Sequence, residues 1–236
     1  MRPLAVSQYT LVTALGHGRD ATLAALKADR TGLASRPFET AKLDTWLGVV
    51  DEADALTLPG ELATFDCRNN RLAELGLRAD GFGDAVRHAA ARWGAQRIGV
   101  FLGTSTSGIL QTEVAYRERD ATTAALPAWL HYGHTHNTYS VSAYVRAALG
   151  LQGPAYVVST ACSSSAKVFA AAARMIAGTC SGPPIWPSTN AAPGRTEGSL
   201  PSSARRRGAT ASGPRSISVS TARIPSGPGH RASVAI

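Results

Sequence analysis

Residues 1 to 180 predict an α/β fold, a sheet covered by helices, and three observations carry that prediction. Apolar, β-branched runs alternate along the chain with alanine- and leucine-rich stretches of helical character. Two of these runs, Ile98-Gly99-Val100-Phe101-Leu102 and Ala155-Tyr156-Val157-Val158, pass directly into loops of small residues and then into helix-forming sequence. Composition is ordinary up to Cys180 and then changes abruptly.

Taken in order, Val12 to Gly18 reads as the end of a strand and its loop. A helix follows over Asp20 to Ala28, with Leu23 and Leu26 expected toward the core. The segment Asp66 to Arg71 is expected to cap a helix running from Arg71 toward Arg78. The strand after Arg97 leaves into Gly103-Thr104-Ser105-Thr106-Ser107-Gly108, and Ile109 to Arg119 reads as helix. Gly150 is positioned to end the next helix, and Gly153-Pro154 breaks the chain before the strand Ala155 to Val158. Ala166 to Ile176 is alanine-rich, with Phe169, Met175 and Ile176 interleaved, and predicts a helix.

Cys162 falls between the last strand and the last helix. Unpaired backbone N–H groups and the positive end of a helix dipole at such a turn favour a thiolate. That is one way to activate a nucleophile. Free cysteine is also often only a small buried hydrophobe, and Cys67 and Cys180 are read so.

The neighbourhood of Cys162 carries a resemblance. Ser159-Thr160-Ala161-Cys162-Ser163-Ser164-Ser165 is similar to the active-site segment of the β-ketoacyl-acyl-carrier-protein synthases. Leu149 to Pro154 upstream, Arg97 to Gly108, Val12 to Gly18, Thr31-Gly32-Leu33 and Asp66 to Arg71 resemble further segments of that family. Ser7-Gln8-Tyr9-Thr10 departs from it, because members commonly carry glycines there. The resemblance spans about residues 4 to 180 and implies the thiolase-like fold, five αβαβα layers, with only the N-terminal half present. It implies Cys162 as the catalytic nucleophile, its N–H as one oxyanion donor, and Thr106 at the residue gating the acyl pocket. It also implies decarboxylating condensation of an acyl thioester with malonyl-acyl carrier protein, as in fatty-acid biosynthesis, and a homodimer. The family's second half supplies two histidines and a lysine, and none of that half is recognisable here. No cofactor and no metal is implied.

Residues 181–236 hold seven arginines, no lysine, Glu197 as their single acid, eight prolines and eleven serines. Of the net charge of +8, this tail carries +6 and residues 1–180 only +2. Such a segment is expected to be a low-complexity basic tail, disordered or frameshift-derived. The charge therefore says little about the folded part, and without interleaved aromatics it is a weak signal for nucleic acid.

Three cysteines exclude a disulfide framework and suit a reducing, cytoplasmic setting. No run approaches the roughly 18 apolar residues of a membrane span. His131, His134 and His136 suggest a metal cluster at first sight, but no carboxylate accompanies them. Ser105-Thr106-Ser107-Gly108 lacks the lysine of a phosphate loop. The expectation is a condensing acyltransferase, and its alternatives are an inactive fragment of one, a cysteine hydrolase, or a basic nucleic-acid binder. An uncovered apolar face, and with it poor solubility, is expected of half a stacked fold.

Overall fold

The computed structural model describes residues 5–36, 45–179, 217–223 and 232–235. The strand β1 (Ala5–Thr13) turns back through β2 (Gly16–His17), pairing Val12 with His17 and Thr13 with Gly16. Helix α1 (Arg19–Lys27) follows, and β3 (Leu33–Ser35) pairs antiparallel with β4 (Trp46–Gly48) in a small separate sheet. Then come α2 (Glu52–Ala55), α3 (Arg68–Arg78), α4 (Phe82–Trp93) and the strand β5 (Ile98–Gly103). After it lie α5 (Ile109–Arg117), α6 (Tyr132–Thr135), α7 (Ser140–Ala148), β6 (Ala155–Val158) and α8 (Ser164–Thr179). Strands β7 (Ile217–Arg223) and β8 (Ala232–Ala235) complete the main sheet, whose order is β2-β1-β7-β8-β5-β6.

The strand β5 shows why both faces of this sheet carry helices. Ile98, Val100 and Leu102 alternate onto one face, where they pack with Leu77, Phe82, Val86, Val141, Tyr144 and Val145 of α3, α4 and α7. Phe101 points to the other face and packs with Val168 and Ala172 of α8. A continuous apolar run is what a strand buried on both faces requires. Val12 lies with Leu72 of α3, so by alternation Tyr9 and Leu11 face the opposite side of β1, toward α1.

Helix ends follow local chemistry at two places. Beyond α7, Gly150 adopts φ +63°, its N–H donates to Ala147 O and the N–H of Leu151 donates to Arg146 O. That pair of bonds is a Schellman motif, as the glycine suggested, and buried Leu151 supplies its hydrophobic contact. Helix α1 has no side-chain cap of its own, since Gly18 occupies its N-cap. Asp80, from the α3–α4 connection, serves instead: its carboxylate accepts the Arg19 N–H at 3.0 Å and the buried Thr10 hydroxyl at 2.7 Å.

Two expectations are corrected. Leu23 and Leu26 are exposed, and α1 buries Thr22 and Ala25 instead. Asp66 does not cap a helix from Arg71: α3 begins at Arg68, and Asp66 instead makes a bidentate ion pair with Arg71, at 2.5 and 2.6 Å. A guanidinium one turn inside the helix matches both carboxylate oxygens and takes them from the helix end.

Part of the expected tail is described. Residues 217–223 and 232–235 are strands: β7 pairs antiparallel with β1 and β8, and β8 pairs parallel with β5. Composition hid a period of two, with Ile217, Val219 and Thr221 alternating with Ser218, Ser220 and Ala222. The ladder itself needs only main-chain groups, and β1 and β5 share none with each other. The rest of the expected tail, 181–216, 224–231 and 236, lies outside the described residues.

Candidate active site

The parallel strands β5 and β6 run side by side, with Gly103 opposite Val158 at their C-terminal ends. Thr104 N–H donates to Val158 O at 3.2 Å, so both following loops leave from one edge of the sheet. Ligand sites of open α/β sheets lie at such ends. Thr106 sits three residues past β5 and Cys162 four residues past β6.

After β6 the chain reverses sharply into α8. Ala161 takes φ +52°, a left-handed value that costs a residue with a Cβ about 1 kcal/mol. Cys162 comes immediately after it and is exposed, with no disulfide partner. Ser164, only 3% exposed, ties the reversal together. Its hydroxyl accepts the Thr160 N–H at 2.9 Å and donates to Ala161 O at 2.7 Å, while its own N–H donates to Ala161 O at 3.2 Å. Thr160 and Ser163 add a hydroxyl contact of 3.0 Å on the exposed side.

Glycines let the strands and the turn approach. A Cβ on Gly103 would stand 2.7 Å from Ser164 C and 2.8 Å from both Ser164 O and Ser165 N, all main-chain atoms of the first turn of α8. A Cβ on Gly153 would stand 2.1 Å from Ile98 O, so the entry to β6 also passes tightly along β5.

The Thr106 loop is braced from the other side. Thr104 Oγ1 donates to Thr106 O at 2.5 Å, and Thr106 is half-buried. Ser107 Oγ donates to His136 O, Gly108 N–H donates to Thr135 O at 2.8 Å, and Thr112 Oγ1 lies 2.7 Å from His136 Nδ1. His136 is thus drawn into holding this loop. His131 and His134 face one another with ring centroids 6.2 Å apart. Among the described residues, no three His, Cys, Asp or Glu side chains gather closely enough to hold a metal ion.

Cys67 is fully buried against Gly108 and Thr135, and burial pushes its thiol above the ordinary cysteine range. Its environment is that of a packing residue, in contrast to exposed Cys162. Cys180 lies outside the described residues. Sequence reasoning named Ser164 and Gly103 only as small residues. Their contacts join segments about 60 residues apart, and no local pattern reports them.

A sheet covered by helices on both faces, with a cysteine at the tight turn between a parallel strand and a helix, makes this an α/β protein. Residues 78–181 match the family described as beta-ketoacyl synthase, N-terminal domain. Among solved structures, a ketosynthase from Xenorhabdus doucetiae, in complex with its chain length factor, is similar at 24% identity with a TM-score of 0.57. That match covers 74% of this chain and 44% of the ketosynthase. A beta-ketoacyl synthase from Burkholderia phymatum STM815 is similar at 24% identity with a TM-score of 0.52, over 75% of this chain and 44% of its own. At this identity the two structures establish the fold. The chain spans less than half the length of either. No curated protein matches the sequence. Among the described residues no helix is long and apolar enough to cross a membrane.

Proposed function

We propose that this chain is the N-terminal part of a condensing acyltransferase whose nucleophile is Cys162. The observation that carries the reading is the exposed cysteine after left-handed Ala161, at the N-terminal end of α8, within a matched ketosynthase segment. In the reaction, the Cys162 sulfur attacks the carbonyl of an acyl thioester, the bond to the donor sulfur breaks, and the donor leaves as a thiol with the proton. Negative charge develops on the thioester oxygen, and main-chain N–H groups at the turn, that of Cys162 included, are suited to receive it. A malonyl group on an acyl carrier protein then loses carbon dioxide. Its carbanion displaces the acyl group from Cys162 to give the 3-oxoacyl product. Thr106, beyond the neighbouring strand, is the residue expected to border the acyl chain. The partners are an acyl carrier protein and a second condensing-enzyme subunit, in a cytoplasmic setting. No cofactor is required for these steps.

A second reading, a fragment that binds or self-acylates without condensing, is favoured by a separate observation. Among the described residues, one face of the sheet is covered by α3, α4 and α7, whereas the other carries α8 and α1. Tyr9, Leu23 and Leu26 stay exposed around α1, and Phe169 on α8 is 41% exposed. Half of a stacked fold would leave such a face for its other half. The histidines expected to assist decarboxylation would belong to that half. On this reading residues 181–236 are frameshift-derived, and the neighbouring DNA frames test that directly.

The experiment is incubation of the full chain with an acyl thioester, followed by mass spectrometry of the Cys162 peptide. Acyl addition at Cys162 that vanishes in Cys162→Ala is the expected result. Absence of acyl from a Cys162 that still reacts with iodoacetamide overturns the proposal. Addition of malonyl-acyl carrier protein then separates the two readings by release of carbon dioxide.

A further inference from the structure

We infer that Ser164 is the positioning residue for the Cys162 nucleophile, an inference that rests on the acyl-transfer reading of this site. Only Ser163 stands between them, yet Ser164 is buried at 3% exposure while Cys162 is exposed. One hydroxyl makes two of the bonds that close the reversal, from Thr160 N–H at 2.9 Å and to Ala161 O at 2.7 Å, while the exposed Ser163 hydroxyl donates to Thr160 O at 2.9 Å. These bonds hold the Ser159–Thr160 and Ala161–Cys162 peptides and so bracket Ala161, whose φ of +52° is unfavourable for a residue with a Cβ. A strained conformation persists only where its surroundings over-determine it. The main chain of Ser164 is itself seated on Gly103 at the end of β5, with no room for a methyl group between them. Ser164 therefore links the sheet to the turn: its backbone fixes where α8 starts, and its hydroxyl fixes how the chain turns before it. Cys162 lies between those two constraints and inherits its direction from them. The serine hydroxyl is needed because it donates and accepts at one oxygen. Alanine leaves the Thr160 N–H and one acceptor site on Ala161 O unpaired, and the turn is then free to relax.

The test is the rate of Cys162 alkylation by iodoacetamide in the full chain, read peptide by peptide by mass spectrometry. In that reaction sulfur bonds to carbon, iodide leaves, and the thiol proton passes to buffer. Buried Cys67 is an internal gauge, since its labelling reports unfolding. The expected result is a rate about tenfold lower in Ser164→Ala, the equivalent of losing one buried hydrogen bond, with Cys67 unlabelled. Ser164→Thr, which keeps the hydroxyl, returns the rate to within about twofold of wild type. An unchanged or faster rate in a folded Ser164→Ala, or no rescue by threonine, overturns the inference. Should Ser164→Ala unfold, amide exchange in the wild-type chain decides: the Thr160 N–H exchanges slowly if Ser164 holds it, and free exchange overturns the inference. The acylation assay stays independent. A chain whose alkylation follows Ser164 but whose Cys162 takes no acyl group refutes the proposed function and leaves this inference standing.

Discussion

Replacing Gly103 by alanine probes the contact on which the active-site turn rests. The new methyl carbon would stand 2.7 Å from Ser164 C and 2.8 Å from Ser164 O and Ser165 N. Every one of these atoms is main chain, so no side-chain rotation relieves the overlap. Carbon contacts are comfortable at about 3.5–4.0 Å, so the start of α8 must withdraw from β5 by roughly 0.7–1 Å. Overpacking of this kind costs about 1–3 kcal/mol. For a chain of this size that lowers the melting temperature by about 3–10 °C. The displaced segment carries the Ser164 hydroxyl and the turn before it, so Cys162 alkylation should change together with stability. Thermal unfolding followed by circular dichroism, with iodoacetamide labelling of Cys162, measures both. Gly133→Ala is the control, because nothing lies within 4 Å of the methyl it would add. If Gly103→Ala melts with the wild type and labels at the same rate, α8 does not sit against the end of β5.

Two further outcomes follow from burial and topology. The Tyr144 hydroxyl is held well above the ordinary tyrosine pKa of 10.0, first by burial and then by its 2.5 Å hydrogen bond to Glu74. Below that pH both folded and unfolded chains keep the proton and the contribution is complete. Above it only the unfolded chain loses the proton, so stability falls with rising pH by about 1.4 kcal/mol per unit. Buried Cys67 adds a loss of the same sign, starting from 9.0. Tyr144→Phe should therefore flatten the alkaline limb of a urea-denaturation profile without abolishing it; an unchanged slope refutes the assignment. Thr221 pairs with Gln8 on one side and Val234 on the other. Thr221→Pro removes an N–H from the middle of the sheet and should destabilise the chain by about 1–3 kcal/mol. An unaltered thermal transition would mean that β7 takes no part in the sheet.

Where sequence and structure agree, the signal is local. Gly150 ends α7 because a left-handed residue is needed there and glycine adopts that conformation freely. The continuous apolar run of β5 reads as a strand covered on both faces, and alanine-rich α8 reads as a helix packed closely on one. Cys162 at a strand–helix turn is legible for the same reason. Where they disagree, a distant partner decided. Leu23 and Leu26 have helical spacing, but whether that face is covered depends on what stands opposite it. Asp66 looks like a cap until Arg71 competes for its carboxylate. Serine-rich β7 and β8 look unable to bury apolar area, yet two strands with unsatisfied edges recruit them through main-chain hydrogen bonds.

By itself, then, the sequence determined the class of fold and the position of the turn that carries Cys162, because strand period, helix propensity and turn residues act over a few neighbours. Only the tertiary structure decided what holds that turn in place. Gly103 and Ser164 meet across about 60 residues, and Asp80 caps a helix whose first residue is Arg19. Such contacts depend on where the chain returns in space, which residue spacing along the chain does not encode.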